Sequence, residues 1–254
     1  MTSLKQRVDD ISASLTQPTG SEVIHLKTLR EAIGFIAVGL PFALAIGENI
    51  RDWLLPNAAS ANRALIEGSI SAYFHTGMRE VFVGSLCAIA VFLVCYKGYQ
   101  RRDNLAANIA GVCALLVAVF PTREQSREAG DTGVPVIDSA TLFSSANAPD
   151  PAYVSWVHFT SAVIFFATLA YMSLFLFTIS TKPSQTRQKL QRNKVYVFCG
   201  ITILVCIAVI AVGKFFLSDA VSRTSYVFVF ESIAVITFGF SWLTKAEVLL
   251  ADKA

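Results

Sequence analysis

The chain has 254 residues, of which 54% are hydrophobic and only 15% charged, and its mean hydropathy is +0.55. Soluble domains carry about 45 to 50% apolar and about 25% charged residues, so this chain departs from them on both counts, which excludes disorder, collagen and a disulfide scaffold. The net charge of +3 leaves no basic footprint for nucleic acid, and an integral membrane protein is expected.

Crossing about 30 Å of hydrocarbon at 1.5 Å per residue takes about 20 mostly apolar residues in a helix. Residues 1–31 mix charges and contain no apolar core, which predicts a cytoplasmic N-terminal segment without a cleavable signal, the first helix acting as an uncleaved anchor. Six apolar stretches follow, at 32–49, 79–98, 104–121, 154–179, 195–217 and 226–247. Strand-length alternation of polar and apolar residues is absent, so a barrel is not expected. The sequence predicts an all-α fold, a polytopic membrane bundle of six transmembrane helices over 32–250, with outer loops at 50–78 and 122–153.

Lys and Arg set the orientation, because cations accumulate in cytoplasmic loops. Fourteen of the 21 lie in the N-terminal segment, the turns after the second and fourth helices, and the C-terminal end. The densest run, KPSQTRQKLQRNK, holds no acid. Both termini are therefore expected in the cytoplasm, with the acidic 122–153 loop outside. Trp53 and Trp156 fall at the expected outer interface and Trp242 near the inner one, where indole rings sit well.

Small residues at four-residue spacing mark faces where membrane helices pack closely. Gly39, Ala43 and Gly47 on the first helix, and Ala106, Ala110, Ala114 and Ala118 on the third, are expected to be buried. The bulky Phe and Leu face of the fourth is expected to look at lipid or an adjoining subunit. Pro41 removes a backbone hydrogen bond in the first helix and predicts a bend. The cysteines, Cys87, Cys95, Cys113, Cys199 and Cys206, all fall in helices without CxxC spacing and read as small apolar packers.

Ionisable groups inside a membrane are costly and so mark candidate sites. Glu231 lies about one and a half turns into the sixth helix, in FVFESIAV. His158, followed by Thr160 and Ser161, enters the fourth helix from the same side. SISAYFHTGMRE brings Ser71, Tyr73, His75, Arg79 and Glu80 to the outer end of the second helix, and Glu48 ends the first there. One reading is an outward-opening polar ligand pocket, with His158 and Glu231 paired and Arg79 available to an anionic headgroup. In the other, helix ends are simply polar and a single His158–Glu231 hydrogen bond fixes helix register.

His75, His158 and Glu231 are three potential zinc ligands, but no HExxH or paired histidines anchor a site. SAYFH is similar to the serine–histidine spacing of the progestin and adiponectin receptor and alkaline ceramidase superfamily. That superfamily also needs a nearby aspartate and paired histidines in its last helix; Asp103 lies toward the other membrane face, and the sixth helix has no histidine. Two lone histidines at helix ends equally fail to specify haem. No metal or cofactor is expected, and GxSxG, P-loop and GxGxxG signatures are absent.

SISAYFHTGMREVFVGSLCAIAVFLVCYKGY, AGVCALLVAVFPT, VHFTSAVIFFATLAYMSLFLF, RQKLQRNKVY and FGFSWLTKAE together resemble a group of bacterial six-helix integral membrane proteins of the domain-of-unknown-function type. In plan these are similar, more distantly, to membrane proteins of the autophagy-modulator and GPI-anchor-remodelling type. The resemblance covers most of residues 28–250 and implies fold, topology and a bacterial inner membrane, without a reaction. It places Ser71, Tyr73, Arg79, Pro121 and His158 at motif positions, and His75 where such proteins carry Tyr.

Three functions follow as expectations. The first is a non-enzymatic protein binding membrane lipid, a membrane-protein partner or a second copy of the chain at the outer cluster. The second is a lipid-headgroup hydrolase or transferase with His158 and Glu231 as acid and base. The third is a small-solute transporter, for which Asn104 and Asn108 are the candidates to extend a polar path inward.

Overall fold

The computed structural model describes residues 20–56, 64–98, 100–122, 152–180, 186–216 and 224–251, with side chains from Lys27 onward. The regular secondary structure of the described residues is all helical: α1 Gly20–Leu54, a 3₁₀ turn Ser71–His75, α2 Arg79–Cys95, α3 Arg101–Val119, α4 Ala152–Tyr171, α5 Arg187–Phe216 and α6 Tyr226–Lys245. Among the described residues, five segments are long and apolar enough to cross a membrane: Lys27–Leu54, Arg101–Val119, Ala152–Leu176, Arg187–Phe216 and Tyr226–Lys245. The 17 residues of α2 rise about 26 Å, somewhat less than the hydrocarbon thickness.

Several boundaries differ from the sequence reading. α1 begins at Gly20 rather than 32, because nothing in that stretch breaks a helix and Lys27 pairs with Glu31 one turn on, at 3.8 Å. α3 starts at Arg101, where the Asp103 carboxylate accepts the Gln100 amide at 3.0 Å and holds the first turn. α5 likewise begins at Arg187, ahead of its apolar run. Residues 1–19, and the outer loop expected at 122–153 apart from its ends, lie outside the described residues.

Contacts at the two ends of the bundle show that α1 to α4 alternate in direction and that α6 runs parallel to α2 and α4. At one end the Ile70 amide meets Glu231 and His158 meets Phe120; at the other Arg30 lies on Tyr96 and Phe177 packs on Trp242. α6 forms the centre, packed against α1 and α5, while α3 bridges α2 and α4.

The alanine stripe of α3 is buried along its whole length, as its spacing predicts. The stripe expected on α1 is corrected: Gly39 and Ala43 are exposed, and the buried face is Ile33, Ala37, Leu40, Leu44 and Glu48. Both stripes have helical spacing, and the tertiary partner selects between them. The α1–α6 crossing runs through Gly34 and Gly239, where a Cβ on Gly239 would come within 2.8 Å of the Gly34 carbonyl. On α4, Trp156, Phe159, Val163 and Phe175 face outward, but Phe165 and Leu169 turn into the core.

Trp242 is a second correction. It is no interfacial anchor but is fully buried, its ring meeting Tyr96, Phe177 and Phe238 with centroids 5.0, 5.3 and 5.9 Å away. Trp53 and Trp156, by contrast, are 80% and 72% exposed. α4 ends in a π turn, Met172–Leu176, where Ser173 and Ser241 share a fully buried hydrogen bond of 3.0 Å between α4 and α6.

Candidate functional site

The 64–78 segment builds the polar end. Ser69 Oγ accepts the Ala72 amide at 3.0 Å and lies 3.1 Å from Ser71 Oγ, closing the entry to the 3₁₀ turn. α6 holds this segment from below: the Phe228 amide donates to the Gly68 carbonyl at 3.0 Å, and Ser225 Oγ donates to the Ile66 carbonyl at 3.1 Å. Tyr73 is buried against Phe228, ring centroids 5.8 Å apart, and its hydroxyl accepts the Glu67 amide at 3.4 Å.

Glu231 is part of the same latch. Its Oε2 accepts the Ile70 amide at 2.7 Å, a bond across 161 residues of chain. His158 is buried and its Nδ1 donates to the Phe120 carbonyl at 2.6 Å. A carbonyl can only accept, so the ring hydrogen sits on Nδ1, and Nε2 of the neutral ring is the acceptor nitrogen. His75 makes the matching bond, Nε2 to the Thr122 carbonyl at 2.8 Å. The two histidines thus fasten the chain leaving α3 to α4 and to the 3₁₀ turn.

The expected mutual bond between His158 and Glu231 is replaced by these two backbone anchors. Both side chains nevertheless line one cavity of about 50 Å³ together with Ser71, amid apolar side chains of α1, α2, α3, α4 and α6. This volume accommodates water rather than a lipid headgroup, since a few tens of Å³ suffice for one or two waters.

The other expected residues lie elsewhere. Arg79 donates through Nε to the Phe74 carbonyl at 2.8 Å and stacks 4.4 Å above the Phe74 ring, which fixes the start of α2. Glu80 is exposed; Ser161 is buried without lining the cavity. Asn104 Oδ1 accepts the Gly98 amide at 2.7 Å and Asn108 is exposed, so neither extends a polar path through the bundle. No group of three or more His, Cys, Asp or Glu suited to a metal occurs among the described residues.

One feature of this end carries no sequence signal. An open groove of about 440 Å³ runs between the last turns of α1 and the 65–66 segment, lined by Ala45, Ile46, Asn49, Ile50, Trp53, Leu65 and Ile66. Asn49 spans its floor, donating to the carbonyls of Ala45 at 2.7 Å and Leu65 at 2.8 Å. On another face of the same turns of α1, Arg51 pairs with Glu48 at 3.4 Å and Asp52 at 3.7 Å. Leu65 and Ile66 lie outside any predicted helix, so only the fold brings them to α1.

Comparison with protein families, with curated proteins and with solved structures finds no match.

Proposed function

We propose that this is a six-span membrane protein, with both termini on the cytoplasmic side, that binds a membrane lipid from the outer leaflet through the α1 groove. In this reading α2 completes the sixth span with the 3₁₀ turn that precedes it, and the cation asymmetry of the loops sets the direction. The observation that carries the binding role is the groove itself. It is apolar apart from Asn49 and of ligand-pocket volume. An acyl chain fits the trough. The latch of Glu231, His158 and the 3₁₀ turn holds the 64–78 wall in place and does not touch the lipid.

The test is native mass spectrometry of purified protein for retained phospholipid, comparing wild type with Ala45→Phe, which fills the floor, and Ile50→Phe, which narrows an exposed wall. At least a tenfold loss of bound lipid is expected in Ala45→Phe, with unchanged melting of Ile50→Phe and weakened retention. Equal retention in all three proteins refutes the groove.

A second reading rests on the shared cavity of Ser71, His158 and Glu231, where water could be activated against a headgroup ester. Lipid turnover by wild-type membranes that disappears in His158→Ala and Glu231→Gln would favour it over simple binding.

A further inference from the structure

α6 stops where its own sequence does not ask it to. KAEVLLA, residues 245–251, holds no glycine or proline, and all but Val248 are strong helix formers. The helix nevertheless ends at Lys245, and the chain turns back in a hook over 246–250. The Val248 amide donates to the Leu243 carbonyl at 3.0 Å and the Glu247 amide to the Thr244 carbonyl at 3.2 Å, the pair of bonds with which many helices close on a left-handed glycine. Here the left-handed residue is Glu247, with φ 60°, and Leu250 follows with φ 56°. No other non-glycine residue among the described ones has positive φ. At both positions the Cβ crowds the following carbonyl, a clash that glycine avoids.

A side chain from another helix opposes this strain. Arg192 of α5 is buried, and its Nη1 lies 2.9 Å from Glu247 Oε1 and donates to the Leu250 carbonyl at 3.3 Å. One guanidinium therefore grips both left-handed residues, the first by its carboxylate and the second by its backbone. Burial of the hook itself is not what holds it, because the side chains of Glu247, Val248, Leu249 and Leu250 are all exposed. The Glu247 side chain is 50% exposed, so dissolved ions reach the pair and weaken it. Local sequence favours a helix over these residues while a tertiary contact favours a hook, and conflicts of this kind concentrate where a chain has work to do other than pack.

We infer that residues 246–251 form a two-state clasp between α5 and α6. In the closed state Arg192 holds the hook. In the open state Arg192 lets go and α6 runs on as a straight helix to Ala251, about 9 Å past Lys245 at 1.5 Å per residue. Ions that compete for the Arg192–Glu247 pair open the clasp. It shares no residue with the outer groove and does not depend on it.

The test uses full-length protein in lipid nanodiscs, in a background lacking the native cysteines, with spin labels on Leu190→Cys, exposed in the first turn of α5, and on Ala251→Cys. The distance between the labels is read in each protein. Wild type at low salt should give one short distance, and raising sodium chloride should move part of the population to a longer one. Glu247→Ala deletes the carboxylate and favours a helix, and should move most of the population to the long distance, as should Arg192→Gln. Glu247→Gly deletes the same carboxylate but frees the left-handed position from strain and opposes a helix, so it should stay at the short distance. Glu247 is exposed, so its two variants carry the comparison even if Arg192→Gln does not fold. Glu247→Ala held at the short distance, Glu247→Gly straightened to the same extent, or a wild-type distance that salt does not move overturns the inference.

Discussion

Glu231 shows what an ionisable side chain in a helix can be for. Its Oε2 takes the Ile70 amide at 2.7 Å, adding a side-chain contact to the two hydrogen bonds by which the start of α6 holds the 64–78 segment. Glu231→Gln keeps an oxygen for that amide and should melt within a few degrees of wild type. Glu231→Leu strands the amide and should cost about 1 to 3 kcal/mol. Chemical denaturation in mild detergent would measure both, and equal stability of the two variants would show that the latch contributes nothing. His158 poses a matching case, because His158→Ala strands the Phe120 carbonyl and enlarges the cavity beside it. Sequence flagged both residues from their apolar surroundings. Their separate partners were illegible, because each is a backbone atom from a distant part of the chain, and a backbone atom carries no residue signature.

Among the elements, α1 tests the packing rule most sharply. It offers two stripes of small or apolar residues, and the fold uses the one through Ile33, Gly34, Ala37 and Leu40. Membrane helices gain little from hiding apolar surface, since lipid is equally apolar, so shape complementarity decides which face is buried. A bulky residue at Gly239 would strike Val38 and the Gly34 carbonyl, whereas around Gly39 there is nothing within 4 Å. Gly239→Leu should therefore lower stability by about 3 kcal/mol or more, and Gly39→Leu should be neutral to within about 0.5 kcal/mol. Steric trapping or thermal melting would distinguish this from the register implied by Gly39, Ala43 and Gly47, which gives the reverse order. α3 needed no such choice, because its four alanines at four-residue spacing make one stripe and that stripe is buried.

At the scale of the whole molecule, five helices among the described residues are long and apolar enough to cross a membrane. The direction of insertion is a prediction from the loop cations. In a cysteine-free background, Asn49→Cys should react with a membrane-impermeant maleimide from outside intact cells, and Lys189→Cys only after permeabilisation. Labelling in the opposite sense would invert the topology. Composition and hydropathy by themselves determined that the chain is all-α and built for a membrane, because about 20 apolar residues in a row have few other stable uses. They also picked out Glu231 and His158, because polar atoms among apolar neighbours stand out in one dimension. Tertiary structure alone decided that these two anchor backbone instead of each other, and that Trp242 is core rather than anchor. The reason is one of distance. Hydropathy is a property of neighbours along the chain, whereas a site is made of neighbours in space, and here those lie up to 161 residues apart.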